Sequence, residues 1–324
     1  MRRKLRKLLI TGGCGFIGSN FIRYILERYP EYKIINLDKL AYCGNLENLK
    51  SIENNPRYTF VKGDICDQNL LRDILKGISC VVNFAAQTHV DRSIVSAAEF
   101  IETNVKGTYA LLEVSRKLKV EKFIQISTDE VYGSIKKGSF TEESTLRPNS
   151  PYAASKASAD TLCRAYFITY AFPVVIVRST NNFGPYQFPE KIIPLFITNV
   201  LEGKKVPLYG KGKNIRDWLY VEDNCRAIDF VLHKGKAGEI YNVAGGHEVA
   251  NLALTKLILQ KLDKSENFIR YVKDRPGHDF RYSIDSSKLN KMGWRRLYGF
   301  GRALELTINW YLNNERWWRK LKKQ

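Results

Sequence analysis

Through the first half of the chain, short apolar runs rich in β-branched residues alternate with longer stretches whose apolar positions recur every three or four residues. Residues 8–11, 33–37, 58–62, 80–83 and 123–127 show the first pattern and are expected to be strands. Residues 17–27, 70–76, 96–118 and 152–170 show the second and are expected to be helices. Strands this uniformly apolar are covered on both faces, which suits a parallel sheet joined by helical crossovers. Residues 174–178 supply a further strand. After Thr180 the rhythm breaks at Asn182, Gly184, Pro185, Pro189 and Pro194, and a glycine-rich passage runs from Gly203 to Gly212, so a smaller second unit is expected there. Residues 240–244 resemble one more strand of the main sheet. The expected division is 1–181 with 219–245, and 182–218 with 246–324.

Composition narrows the class. With 324 residues, 44% hydrophobic and 26% charged, the chain can bury one large or two modest cores, and it is no disordered tail, collagenous repeat or disulfide miniprotein. No apolar run approaches the roughly 20 residues that cross a bilayer. The basic start (Arg2, Arg3, Lys4, Arg6, Lys7) leads into only Leu8, Leu9 and Ile10, short of the roughly 7 to 15 apolar residues of a secretory signal. A cytoplasmic protein without a membrane partner is expected. Cysteines at 14, 43, 66, 80, 163 and 225 form no CxxC pair, and the four histidines are scattered, so neither disulfides nor a metal is expected. The excess of 52 Lys and Arg over 33 Asp and Glu makes nucleic acid the first partner to weigh. Nearly half of that +19 sits at the ends, in the five basic side chains of residues 1–7 and the five, against Glu315, of residues 315–324.

The string Thr11-Gly-Gly-Cys-Gly-Phe-Ile-Gly18 follows the first strand and opens the first helix, with Gly12, Gly15 and Gly18 three apart. Such a turn lets a pyrophosphate meet main-chain N–H groups, those of Phe16 and Ile17 among them, at the positive end of a helix. A tight turn with no ligand would use the same glycines. Asp38, twenty residues beyond Gly18, ends the second strand, where a carboxylate accepts from ribose hydroxyls and repels a 2′-phosphate. NAD is therefore expected rather than NADP, with Lys39 a neighbouring cation that offsets part of the repulsion. Asp64 and Ile65 end the third strand, toward an adenine. Phe84, Ala85 and Ala86 end the fourth, where a cofactor passes closely.

Tyr152 and Lys156 stand at i and i+4 on one expected helix and share a face. Lys156 could lower the phenol's pKa and bind the nicotinamide ribose while Tyr152 takes a hydroxyl proton. A solvated helix face would also carry this spacing; the dinucleotide half that precedes it favours the chemistry. Asp129 and Glu130 directly follow a strand, where two adjacent carboxylates also suit a solvated turn.

The glycine pattern, Ser127-Thr128-Asp129 and the Tyr152/Lys156 pair together resemble the extended short-chain dehydrogenases/reductases, and more narrowly the nucleotide-sugar 4,6-dehydratases. The likeness runs from Lys7 to about Trp317 and includes LDKLAYCGNLENL, HVDRSI, FIETNVKGTYALLE, ISTDEVYG, NNFGPYQFPEKIIPL, IRDWLYVED and DRPGHD. It implies an α/β fold, a Rossmann-type doubly wound parallel sheet with a smaller mixed α/β substrate-binding domain. It implies a hydro-lyase with catalytic NAD, acting on a nucleoside-diphosphate glucose, dTDP-glucose ahead of UDP-glucose. In that reaction C4 is oxidised, Glu130 removes the C5 proton that the ketone acidifies, Asp129 protonates the departing C6 hydroxyl, and hydride returns to C6. Thr128 bonds near the C4 hydroxyl and assists Tyr152. An acid and a base of one chemical type need different environments.

The same resemblance assigns Thr103 and Asn182 to the cofactor, and Thr88, Asn181, Glu190, Lys191, Arg216, Asn251, Arg275 and His278 to the nucleotide sugar. A guanidinium suits a diphosphate because it binds two oxygens at once, and an interdomain salt bridge would use Arg216 or Arg275 equally. His89 is expected to be a structural histidine. A homodimer is implied through the helices carrying Asn104 and Tyr152. Gln87 stands where bacterial relatives often have Glu, Cys43 and Gln87-Thr88 match eukaryotic relatives acting on UDP-glucose, and Phe280 replaces a frequent Arg, so base preference stays open. The stretch from Gly245 to Asn251 is one residue shorter than the family pattern. A 4-epimerase or UDP-glucuronate decarboxylase would share the Tyr-Lys pair but eliminate no water. A noncatalytic dinucleotide binder or a nucleic-acid binder would need none of these groups, and nucleic acid is not expected as the partner.

Overall fold

The computed structural model describes residues 6–322; Arg2, Arg3, Lys4 and Lys323 of the basic ends lie outside them. The strands are β1 (Lys7–Thr11), β2 (Lys33–Asp38), β3 (Tyr58–Lys62), β4 (Cys80–Asn83), β5 (Lys122–Thr128), β6 (Val174–Ser179), β7 (Asn181–Phe183), β8 (Val206–Tyr209), β9 (Ile215–Tyr220), β10 (Ile240–Val243), β11 (Glu248–Ala250) and β12 (Ile269–Val272). The helices are α1 (Phe16–Arg28), α2 (Gln68–Ile74), α3 (Val90–Val95), α4 (Ala98–Phe100), α5 (Thr108–Lys117), α6 (Pro151–Tyr170), α7 (Ile192–Leu201), α8 (Val221–Lys234), α9 (Asn251–Lys261), α10 (Ser287–Lys291), α11 (Phe300–Asn313) and α12 (Glu315–Leu321).

Seven of these strands form one sheet in the order β10-β6-β5-β4-β1-β2-β3, every pair parallel. The strand order reverses between β1 and β4, which leaves a crevice at the carboxyl ends where open α/β sheets take their ligands. One face is covered by Phe21, Ile22 and Ile25 of α1 with Ile228, Val231 and Leu232 of α8. The other is covered by Leu71 of α2, Leu111, Leu112 and Val114 of α5, and Cys163 of α6. Each such side chain contributes about 1.5 to 3 kcal/mol by leaving water.

A separate core joins Phe183, Phe196, Trp218, Leu254, Ile308, Tyr311 and Trp318 beneath the short sheets β11-β9-β7 and β12-β8. The chain returns to the main sheet late: Leu289 and Trp294 pack in the first core, although they fall within 246–324. The last helix reaches back as well. Trp317 Nε1 donates to Asn48 Oδ1 (2.9 Å), and Asn48 Nδ2 donates to the carbonyl of Cys14 (2.9 Å) in the glycine-rich turn. Lys320 pairs with Glu47 at 2.5 Å and Lys322 with Glu202 at 2.8 Å, so part of the basic excess of this end is met by acids of the same molecule.

The stretch 96–118, expected as one helix, is broken. Between α4 and α5 the residues Ile101–Gly107 form a π-helix. There Asn104 turns inward: it accepts from the Gln87 amide (2.8 Å) and donates to the Gln87 carbonyl (3.1 Å) and to Ser155 Oγ (2.8 Å). A bulge of this kind is a frequent device beside functional sites. Among the described residues no helix is long and apolar enough to cross a membrane.

Candidate active site

One cavity of about 460 Å³ runs from the glycine-rich turn to the short sheets, and every candidate cofactor, catalytic and substrate residue named from the sequence lines it. Its first wall is the turn after β1. Gly12 has φ +67, and a Cβ there would stand 2.6 Å from the Ala85 nitrogen; a Cβ on Gly18 would stand 2.5 Å from the Gly12 oxygen. Gly15 caps α1 without a side-chain hydrogen bond, so the first N–H groups of the helix, at Phe16, Ile17 and Gly18, are left for a ligand. A Cβ on Gly15 would meet only the Gly12 oxygen, at 3.2 Å.

At the end of β2, Asp38 accepts from the amides of Cys14 (2.9 Å) and Leu40 (2.8 Å). Burial pushes its pKa up, and those two amides and Lys39 counter it. A carboxylate has about four acceptor directions, so room remains for ribose hydroxyls. Lys39, the cation that could have relieved a 2′-phosphate, directs Nζ to Asp64 (3.3 Å) and to Thr103 Oγ1 (3.4 Å). Ile65, Phe84, Ala85 and Ala86 complete this end, and the donor and acceptor set fits a dinucleotide with free ribose hydroxyls.

The second wall comes from β5 and α6. Thr128 ends β5 and its hydroxyl caps the turn of Asp129–Tyr132 by accepting from the Glu130 amide (3.2 Å), while donating to Asp129 Oδ1 (3.1 Å). Ser150 caps α6 by accepting from Ala153 (3.1 Å), with Pro151 in the first turn, which fixes the position of Tyr152. Lys156 Nζ donates to the Ile126 carbonyl (2.6 Å), and burial lowers its pKa while Asp160 raises it. One turn on, Asp160 accepts from Arg178 Nε (2.8 Å) and Ser127 Oγ (2.9 Å) in a buried ion pair.

The two carboxylates differ. Asp129 is held well above the usual carboxylate range by burial and by Glu130, and its Oδ2 is buried without a partner. Glu130 is also raised by burial, but Arg216, Arg275 and Lys191 pull it down. Tyr152 is pushed up by burial, Glu130 and Asp129, with Thr128 opposing.

The third wall comes from the smaller unit. Glu190 and Lys191 precede α7. Tyr42 donates to Glu190 Oε1 (3.1 Å), His89 Nε2 lies 3.5 Å from Glu190 Oε2, and Lys191 Nζ donates to the Thr88 carbonyl (3.0 Å). His89 also caps α3 by accepting from the Arg92 amide (3.3 Å), in keeping with the structural role expected of it. Arg216 donates to the Asp279 carbonyl (3.0 Å) and lies over the Tyr282 ring at 4.3 Å; no salt bridge was needed to place it. Arg275 does make a salt bridge, with Asp91 of α3. The buried oxygens Asn181 Oδ1, Asn182 Oδ1 and Asn251 Oδ1 are without partners, as a wall awaiting a polar ligand would be.

Reading the sequence missed Tyr282, whose hydroxyl donates to Asp279 Oδ2 (2.7 Å) and lies 3.4 Å from Glu130 Oε2. It sits four residues past His278, just beyond the DRPGHD string, and that spacing was the available signal. Gln187, Asp91 and Tyr209 were missed too.

A Rossmann sheet with a tyrosine and lysine on one helix and an acid pair at the end of β5 defines an extended short-chain dehydrogenase/reductase. The family model for GDP-mannose 4,6 dehydratase matches residues 9–307, and the chain belongs to that family. A dTDP-glucose 4,6-dehydratase from Streptomyces niveus is 50% identical over 98% of this chain and 96% of its own length. The crystal structure of DesIV, a dTDP-glucose 4,6-dehydratase from Streptomyces venezuelae with NAD bound, superposes with a TM-score of 0.96 at 50% identity, covering 97% of this chain and 99% of that one. A UDP-glucuronic acid 4-epimerase from Bacillus cereus shares the fold at a TM-score of 0.89 but only 29% identity, over 95% of this chain and 99% of its own.

Proposed function

We propose that this protein converts dTDP-glucose to its 4-keto-6-deoxy product by loss of water, with NAD as a catalytic cofactor. The observation that carries the reading is the buried pair Asp129 and Glu130 at the end of β5, in unlike surroundings: Asp129 is raised well above the usual carboxylate range by burial and by Glu130, while the rise that burial gives Glu130 is opposed by Arg216, Arg275 and Lys191. An epimerase on the same scaffold has no elimination to perform and no use for such a pair.

NAD, when bound, takes hydride from C4 and returns it at C6, so the turnover needs no outside oxidant. Gly12, Gly15 and Gly18 hold its pyrophosphate side and Asp38 its ribose, with Lys156 toward the second ribose. Tyr152 takes the C4 hydroxyl proton. Two carboxylates oppose that ionisation, and protonation of Asp129 removes one of them, so the acid form of Asp129 and the base form of Tyr152 favour each other. Once C4 carries a ketone, C5–H is acidic; Glu130 removes that proton, and Asp129 gives its own to the leaving C6 hydroxyl, which departs as water. When hydride is returned at C6, the proton held by Glu130 goes back to C5. Arg216 and Arg275 neutralise the diphosphate. On this reading the large unit holds the cofactor, and the stretches 182–218 and 246–324 supply the nucleotide-sugar wall.

A second copy completes the reading, docked on the helices that carry Asn104 and Tyr152, where Ile101, Tyr109 and Ile168 are exposed; sedimentation of a dimer checks this. Six free thiols suit a reducing cytoplasm. The test of function is mass spectrometry after incubation with dTDP-glucose or UDP-glucose. Loss of one water without net reduction of added NAD is expected. Retention of the water with both sugars refutes the reading. Glu130→Gln is expected to stop C5 proton exchange with solvent while leaving C4 oxidation measurable.

A further inference from the structure

Asp91 lies in the first turn of α3, while Tyr209 ends β8 and Arg275 follows β12, respectively 118 and 184 residues away along the chain. The three meet across the cavity. Asp91 Oδ1 takes Arg275 Nη1 at 3.1 Å, and Asp91 Oδ2 accepts from the Tyr209 hydroxyl at 3.1 Å. His278 stands edge-on to the Tyr209 ring, centroids 6.1 Å apart, with Nδ1 2.6 Å from Asp274 Oδ1. Arg275 Nε is buried and has no partner.

The side chains of Arg275 and Asp91 are 21% and 35% exposed, and a pair so open to water contributes little to stability. Its consequence is geometric. A guanidinium is a flat fork with two usable edges; Asp91 occupies Nη1, while Nε is buried and unpaired in a residue that lines the cavity. We propose that Asp91 is a positioning residue. It fixes Arg275 by one edge so that the other faces the diphosphate, and Tyr209 fixes Asp91 in turn. The inference rests on the reading of Arg275 as a diphosphate ligand given under the proposed function. Pre-orientation of this kind removes an ordering cost from binding and leaves the chemical step alone.

The experiment uses the NAD-loaded protein, with thymidine diphosphate and thymidine monophosphate as probes in titration calorimetry and kcat and KM measured with the sugar nucleotide. Asp91→Asn is expected to weaken the diphosphate about tenfold, as loss of one charge-assisted restraint does, and to raise KM in proportion. The monophosphate should change far less and kcat should stay within about twofold. Asp91→Glu should recover part of the loss, and Tyr209→Phe, which removes only one O–H, should show a smaller shift in the same direction. The double variant Asp91→Asn/Arg275→Ala should bind no more weakly than Arg275→Ala alone. Diphosphate affinity that is unchanged or tighter in Asp91→Asn, while Arg275→Ala binds poorly, overturns the positioning role and leaves the diphosphate reading standing. Unchanged affinity in Arg275→Ala overturns the diphosphate reading itself, and the positioning role with it.

Discussion

Gly12 and Gly15 separate two uses of the same turn. Alanine at Gly12 must adopt φ +67 and place Cβ 2.6 to 2.9 Å from backbone atoms of Phe84 and Ala85, none of which can swing away. The left-handed conformation costs roughly 1 to 2 kcal/mol and the overpacking about 1 to 3 more, so Gly12→Ala should lose about 2 to 5 kcal/mol of folding stability. Alanine at Gly15 meets one oxygen at 3.2 Å and keeps an allowed φ of −78. Its cost is that of a poorer helix cap, less than about 1 kcal/mol. Yet Gly15 lines the cavity beside the first N–H groups of α1, and a methyl there is expected to crowd a pyrophosphate bound to them. Losing even one hydrogen bond to a charged group, about 1.5 to 3 kcal/mol, weakens NAD roughly tenfold or more. Urea denaturation without cofactor and fluorescence titration with NAD measure the two effects independently. A Gly15→Ala protein that binds NAD like the parent would mean that the glycines only form a turn.

Three further outcomes are expected. Asp160→Asn leaves Arg178 charged and buried, and breaking a buried pair from one side costs about 3 to 5 kcal/mol, which equilibrium denaturation should detect. Asp129 holds its proton to higher pH when folded than unfolded, so its contribution to stability is lost as pH rises from the ordinary carboxylate range through the raised value. Asp129→Asn should therefore melt above the parent at pH 8 and converge with it toward about pH 4, even though it stops dehydration; a variant that melts lower at pH 8 contradicts the assignment. Tyr152→Phe should cut kcat about 100- to 10,000-fold with NAD affinity retained, and a smaller loss would point to another base at C4.

Much of this architecture was legible because it is written locally. The uniformly apolar runs of β1, β4 and β6 and the spacing of α1 and α6 follow from burial on both faces of a parallel sheet, and the glycines and acid pair declare themselves at strand ends. What escaped was set by distant partners. The π-helix at Ile101–Gly107 depends on Asn104 finding Gln87 and Ser155, which periodicity cannot display. The return of Leu289 and Trp294 to the first core, and the meeting of Asp91 with Arg275 and Tyr209, depend on tertiary closure alone. Tyr282 lies three residues past the DRPGHD string, and only the folded chain brings its hydroxyl to Glu130.

The hydrogen bonds from Trp317 through Asn48 to the Cys14 carbonyl join the chain's last helix to its first turn. Helix α12 thus braces the loop expected to cradle the cofactor, with a single asparagine as the intermediary. A truncation before Trp317, or a tag that pulls α12 away, would act at a distance as a cofactor-site lesion, although nothing near the glycines had been altered. The order of synthesis matters too: a growing polypeptide can lay down the sheet early, but it gains this brace on Asn48 only after Trp317 has been made.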